Sequence, residues 1–113
     1  MEEAKGVLKH TVLLKFKDGT PLDQIDQLIK GCVNLSNLIP TVKAFHWGKD
    51  VRVENPHQDF THLFEYTFES AEGLAEYMAH PAHVELATVI QPYWEKLTVF
   101  NYRPSTVHSE TKE

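Results

Sequence analysis

The sequence predicts an α+β chain of the ferredoxin-like kind, an antiparallel four-stranded sheet with helices on one face. Three observations carry this. The predicted elements run β-α-β-β-α-β. The strand segments alternate apolar and polar residues at a period of two, while the segments between them repeat every three to four residues. Finally, Leu13, Phe45, Trp47, Leu63 and Phe100 fall on nominally outer strand positions, where a second subunit would partly cover them.

Residues 1–6 are polar and read as a flexible tail. The first strand runs from about Leu8 to Lys17. His10, Val12, Leu14 and Phe16 share one face, and a mostly basic face with Leu13 stands opposite. Asp18-Gly19 is a turn. Thr20 then stands at the cap position, Pro21 at the first helical position and Asp23 completes a Thr-x-x-acid pattern. Ile25, Leu28, Ile29, Cys32, Leu35 and Ile39 form the buried stripe of this helix, Gly31 weakens it locally, and Pro40 ends it.

A second strand is expected from about Val42 to Val53, with Gly48 marking a bulge or a close backbone approach. After the polar loop 54–59, Phe60, His62, Phe64, Tyr66 and Phe68 alternate with Thr61, Leu63, Glu65, Thr67 and Glu69 in a third strand. Ser70 caps the next helix, which turns Leu74, Tyr77 and Met78 inward and breaks at His80-Pro81, because a residue before proline disfavours helical geometry. On the helix that restarts at Pro81, His83, Leu86, Ala87 and Ile90 share a face. The last strand, about Glu95 to Tyr102, alternates Leu97, Val99 and Asn101 against Lys96, Thr98, Phe100 and Tyr102, and residues 104–113 read as a second flexible tail.

The bulk numbers exclude several classes of function. At 113 residues the chain is one domain, with a core of modest size that dimerisation would help to stabilise. A formal net charge of -5 argues against nucleic acid and anionic membrane surfaces as partners. No apolar run approaches the roughly 20 residues of a transmembrane span. The acidic, polar N-terminus is unlike a signal peptide, and one cysteine, Cys32, leaves no intrachain disulfide, so a cytoplasmic or nuclear setting is expected.

Chemistry is concentrated in Tyr77-Met78-Ala79-His80-Pro81-Ala82-His83-Val84, which places a phenol and an imidazole on either side of a helix break. A neutral imidazole suits proton abstraction and a phenol in an apolar pocket suits donation to a developing oxyanion. The same residues also fit an interior histidine bonded to backbone beside a core tyrosine. His10 and His62, each on an apolar strand face, read first as hydrogen-bonded pocket residues. A three-histidine metal site with His83 is disfavoured by the lack of an evident carboxylate shell. Carbonyls around Val33 to Ile39 are able to hold a hard cation such as Mg²⁺ or simply to cap the helix. Cys32 reads as a buried inert thiol, His80 as part of the helix break, and His46, His57 and His108 as surface residues.

His10, Phe16-Lys17-Asp18, Asn34-Leu35, His46-Trp47-Gly48-Lys49-Asp50-Val51, Thr61-His62, Thr67-Phe68-Glu69-Ser70 and His80-Pro81-Ala82-His83-Val84 together resemble the stress-responsive dimeric α/β-barrel family of plants, over roughly residues 7–103. The resemblance implies a homodimeric α/β barrel with a pocket between each sheet and its own helices. It is nearest to the heat-stable, defence-associated members, which implies a stress or defence role exercised through the dimer and, in the pocket, a small hydrophobic ligand. The chain is also similar to polyketide cyclases of the olivetolic acid type, which close a polyketide thioester by intramolecular aldol condensation and require no metal or organic cofactor. That similarity implies a catalytic pair at His83, as base, and Tyr77, as donor, with His10, His62, Leu14, Phe64, Trp94, Leu97 and Val99 against the substrate. Leu28, Cys32, Phe64 and Leu86 depart from the cyclase pattern and would reshape its cavity.

Overall fold

The computed structural model describes residues 2–3, 7–51 and 59–106. Its elements are β1 (Glu2–Glu3), β2 (Leu8–Phe16), α1 (Leu22–Leu38), β3 (Ala44–Lys49), β4 (His62–Phe68), α2 (Ala71–Ala79), α3 (Pro81–Ile90), a short 3-10 turn (Gln91–Tyr93), β5 (Trp94–Tyr102) and β6 (Ser105–Thr106). β2 to β5 form one antiparallel sheet in the order β3-β4-β2-β5, the arrangement of a ferredoxin-like fold. β1 pairs with β6 in a separate two-stranded ladder, so these four residues are paired where unpaired tails were expected. The remaining tail residues, with His57, His108 and the loop 52–58, lie outside the described residues.

Register assigns the faces. His10 stands opposite Tyr66 and Asn101, Val12 opposite Phe64 and Val99, and Leu14 opposite His62 and Leu97. The helices cover this face. Its largest fully buried side chains are Leu14, Phe64 and Phe68, joined by Ile39 from the segment that follows α1. Leu28, Ile29, Cys32 and Leu35 bring the apolar stripe of α1 onto the same layer. Complete burial of each large side chain is worth roughly 1.5–3 kcal/mol, so this layer holds the helices to the sheet.

The opposite face carries Leu13, Leu63, Thr67, Phe100 and Tyr102 around one polar network. Glu65 Oε2 accepts from the hydroxyls of Thr11 at 2.9 Å and Tyr102 at 3.2 Å, and Lys9 donates to Thr67 Oγ1 at 2.8 Å. Leu63 and Phe100 remain exposed there.

Several details differ from the sequence-based expectations. Phe45 and Trp47 pair with Tyr66 and Phe64, so they stand on the helix side of the sheet and not on its outer face. Their rings meet Phe64 and Tyr66, and β3 stops at Lys49. Gly48 pairs regularly with Leu63, and a side chain there would meet nothing within 4 Å, so neither bulge nor close approach explains it. Among the described residues, the register shifts between Lys15 and Phe16. Thr20 does not cap α1. Pro21 occupies the cap position, which leaves Thr20 one residue early, and its hydroxyl donates to Lys17 O at 2.7 Å. The turn before it follows the expected chemistry, with Gly19 at φ +85°, a conformation that suits glycine.

Candidate functional site

The helix layer is interrupted at one place, and the side chains of interest gather below it. Ser70 Oγ accepts from Gly73 N at 3.0 Å and starts α2, as its N-cap position requires. α2 ends at His80, whose extended backbone is set by the following proline. His80 then starts α3, with its Nδ1 accepting from Ala82 N at 3.1 Å. One residue therefore closes one helix and opens the next. The break turns Tyr77, on the last turn of α2, toward His83, on the first turn of α3, and their ring centroids lie 4.6 Å apart.

Below the break is a cavity of about 200 Å³ between the sheet and the helices. β2 contributes His10, Val12 and Leu14, and β4 contributes Phe64 and Tyr66. Leu97 and Val99 from β5 and Cys32 and Leu35 from α1 complete the walls, and Tyr77, Met78, His83, Leu86, Ala87 and Ile90 form the roof. Met78, Leu97 and Val99 line the cavity and are also exposed, so its mouth lies between the helix break and the edge strand β5.

The polar groups are few and individually oriented. His83 Nδ1 lies 3.0 Å from Met78 O. A carbonyl only accepts, so Nδ1 carries the proton and Nε2 keeps a free lone pair. His10 is buried, and its Nδ1 donates to Asn101 Oδ1 at 2.6 Å. Burial pulls the His10 pKa below the usual histidine value. The Asn101 bond opposes that shift and the nearby His83 adds to it, so His10 is neutral at physiological pH. Tyr66 donates its hydroxyl to Cys32 O at 2.9 Å, and its ring lies 5.1 Å from that of Tyr77. Burial raises the pKa of both phenols well above the ordinary value, so both remain donors. Burial likewise pushes the Cys32 thiol up to about 11, which leaves it protonated and unreactive.

Of the residues singled out from sequence, His10, Leu14, Phe64, Tyr77, His83, Leu97 and Val99 meet around this cavity. His62 and Trp94 do not line it. His62 lies two positions further along the same strand face than Phe64, with Phe16 edge-on at 5.1 Å and Phe64 stacked at 6.3 Å. Its Nδ1 pairs with Thr61 Oγ1 at 2.8 Å, while its buried Nε2 has no hydrogen-bond partner among the described residues. Trp94 stands opposite Phe16 at the same end of the sheet. His10, His62 and His83 form no common cluster, and among the described residues no three His, Cys, Asp or Glu side chains gather as a metal site would need. At the end of α1, Val33 O accepts from Ser36 Oγ, Leu35 O from Ile39 N and Ile39 O from Val42 N, the contacts of a capped helix.

Two polar contributors were not singled out. Asn101 continues the Leu97 and Val99 alternation, which was the available signal. Tyr66 reads from sequence as an aromatic able to fill the pocket, and nothing local in the sequence points to its bond with Cys32.

Comparison with known proteins fits this arrangement. The family described as "Stress responsive A/B Barrel Domain" (Dabb) matches residues 8–104. The chain is 58% identical to the stress-response A/B barrel domain-containing protein HS1 of Arabidopsis thaliana, over 95% of this chain and 98% of that one. It is 45% identical to olivetolic acid cyclase of Cannabis sativa, over 86% and 96% of the two chains. The structure of the hydroxynitrile lyase from Passiflora edulis superposes with a TM-score of 0.83 at 33% identity, covering 90% of this chain and 96% of that one. At the level of fold alone, a dimeric ferredoxin-like protein from Thermobifida fusca superposes with a TM-score of 0.76 at 19% identity, over 92% and 93%.

Proposed function

The chain belongs to the stress-responsive A/B barrel domain family, and from that premise we propose that its cavity takes a small, largely apolar carbonyl compound on which His83 and Tyr77 act as base and hydrogen-bond donor. The observation that carries this reading is the fixed tautomer of His83. With Nδ1–H held by Met78 O, the lone pair of Nε2 is available beside a buried phenol. The walls are apolar apart from a handful of oriented groups, the usual composition of a small-molecule site. About 200 Å³ lies below the roughly 300–1,000 Å³ of ordinary ligand pockets, which favours a compact substrate. Two relatives are enzymes by name, olivetolic acid cyclase and hydroxynitrile lyase.

In the proposed step Nε2 of His83 removes a proton from a carbon flanked by carbonyls. The resulting carbanion attacks a further carbonyl carbon of the same molecule, not one of the two that flank it, and forms the new carbon–carbon bond. Tyr77 donates its hydroxyl to the developing alkoxide, which then takes back the proton from the His83 imidazolium. Atoms and charge balance without a metal or organic cofactor, and His10, neutral and anchored by Asn101, serves as a further polar contact. The partner is a second copy of the chain, on the sheet face that carries Leu13, Leu63 and Phe100. The Thermobifida fusca protein of the same fold is dimeric. The expected setting is cytoplasmic, and among the described residues no helix is long and apolar enough to cross a membrane.

The test is solvent deuterium exchange at the carbon between the carbonyls of a short acetoacetyl thioester, followed by proton NMR. Wild type is expected to accelerate exchange, and His83→Ala to lose about 10²–10⁴-fold of that acceleration while keeping its circular dichroism. Exchange that is equal with and without the protein overturns the catalytic role. A second reading, a stress-response binder without catalysis, is favoured by one observation: the relative 58% identical to this chain is named for stress response and not for a reaction. Under that reading olivetolic acid binds by calorimetry, and His83→Ala and Tyr77→Phe change its affinity without any exchange activity to lose.

A further inference from the structure

Gly31 lies in the middle of α1, an expensive place for a glycine, which costs a helix interior about 1 kcal/mol relative to alanine. Its φ is not in the left-handed region, so backbone conformation does not require it. Packing does. A Cβ at position 31 would stand 2.8 Å from Leu86 Cδ1, well inside van der Waals contact. Leu86 is on α3 and forms part of the cavity roof, while Cys32, the neighbour of Gly31, forms part of the wall. The missing side chain lets Leu86 seat a methyl group on the backbone of α1.

We propose that Gly31 is a specificity-determining position: by letting Leu86 seat on α1 it keeps that side chain out of the cavity and sets the length of apolar ligand the cavity accepts. The inference rests on the preceding reading only in treating the cavity as a ligand site. The atom displaced by a residue-31 side chain is the far end of a flexible leucine and not backbone, so Gly31→Ala folds, with α1 gaining helix propensity. The displaced Leu86 methyl is bounded by α1 on one side and finds its free space in the cavity on the other. Apolar volume is lost there without any change at Tyr77, His83 or His10. The polar groups of a ligand keep their partners, and only its apolar extent is restricted.

Two measurements separate the inference from the function on which it rests. The first is the occupancy of xenon in pressurised crystals of wild type, Gly31→Ala, and the double variant Gly31→Ala with Leu86→Ala. Xenon reports apolar space whether or not the protein has a natural ligand. Occupancy is expected to fall in Gly31→Ala and to return in the double variant. The second is binding of 2-butanone and 2-nonanone by ligand-observed NMR. Gly31→Ala is expected to weaken the longer ketone about tenfold, the worth of roughly two buried methylenes, with little effect on the shorter one. The double variant is expected to restore the longer ketone. Unchanged xenon occupancy in Gly31→Ala, or equal weakening of both ketones that the double variant does not rescue, overturns the proposal. A wild type that binds xenon but neither ketone, with the xenon pattern otherwise as expected, supports the role of Gly31 in setting the cavity and overturns the carbonyl-ligand reading instead.

Discussion

One sheet face carries a histidine near each of its ends, and the structure treats the two in opposite ways. His10 borders the open cavity, is bonded to Asn101, and has the Tyr77 ring 5.7 Å away. His62 is wedged between Phe16 and Phe64 in a packed aromatic row, and its Nε2 is unsatisfied among the described residues. Both sit at alternate positions on apolar strands, so period and burial alone make them equivalent. The helix layer separates them. Over His10 it is broken at His80-Pro81, and the break presents Tyr77 and His83. The break does not reach His62, which lines instead, with Trp47, Lys49 and Thr61, an open groove at the end of the sheet. The lesson is local: a histidine on an apolar strand face becomes part of a site only where the covering layer leaves room and brings a second polar group to it.

The largest expected effect comes from removing the divider. Phe64 lines the cavity and stacks against His62, and it is 2% exposed. Phe64→Ala should cost about 3–5 kcal/mol of stability, because truncation of a buried aromatic forfeits its transfer energy and leaves a void. Urea denaturation measures this directly. A loss below about 1 kcal/mol would mean that the two ends collapse together and that Phe64 does not hold them apart.

A smaller contrast tests the histidines themselves. His10→Leu deletes the bond to Asn101 and should destabilise the protein by about 1 kcal/mol, the usual net worth of a hydrogen bond. His62→Leu removes a polar atom that has no partner, while Thr61 keeps its bond to Leu14 O. It also deletes the Nδ1 bond to Thr61 Oγ1, so the two changes offset and the variant should lie within about 1 kcal/mol of wild type. Equal losses in the two variants would dissolve the distinction between the two ends.

Protonation sharpens the same comparison. Burial lowers the pKa of both histidines in the folded chain, and Lys49 adds to the shift at His62. Each therefore binds fewer protons folded than unfolded between its lowered pKa and the unfolded value of about 6.5. Their contribution is present in full above about pH 6.5 and is lost as pH falls through that window. Thermal unfolding between pH 7 and 5 should show Tm decreasing with acidification. His10 is almost fully buried, so His10→Leu should flatten the slope more than His62→Leu does. A steeper slope in either variant would mean that the histidine gains protons on folding instead of losing them.

How much of this was legible in the sequence depends on which interactions are local. Strand alternation is local, and it placed His10, Leu14, Phe64, Leu97 and Val99 on one face before any register was known. The His80-Pro81 break is local as well, and it set Tyr77 and His83 on either side of a kink. Phe45 and Trp47 were misplaced because β3 is short and its facing follows from its pairing with β4, a contact some twenty residues away in sequence. His62 and Trp94 were grouped with the pocket because alternation shows which face a residue takes but not how far along the strand a cavity extends. That limit is set by Phe16 and Phe64, whose packing is tertiary. The Tyr66 bond to Cys32 O spans the sheet-to-helix gap and had no sequence signal.

A comparably small effect at the helix break is the most selective. His80 caps α3 through Nδ1, and His80→Ala should cost about 1 kcal/mol, the usual worth of a side-chain cap, while His80→Asn should recover most of it. The stability change alone would not distinguish the two ends of the sheet, but the imidazole signals would. The cap fixes the first turn of α3 and so the placement of His83 against Tyr77, whereas His62 is held by Phe16, Phe64 and Thr61 on the sheet. In histidine-selective NMR spectra, His80→Ala should move the His83 resonances and, through the shared cavity, those of His10, and leave His62 in place. If all three move together, the helix break is not an independent hinge over the cavity, and the separation of the sheet face into a site and a packed aromatic row fails with it.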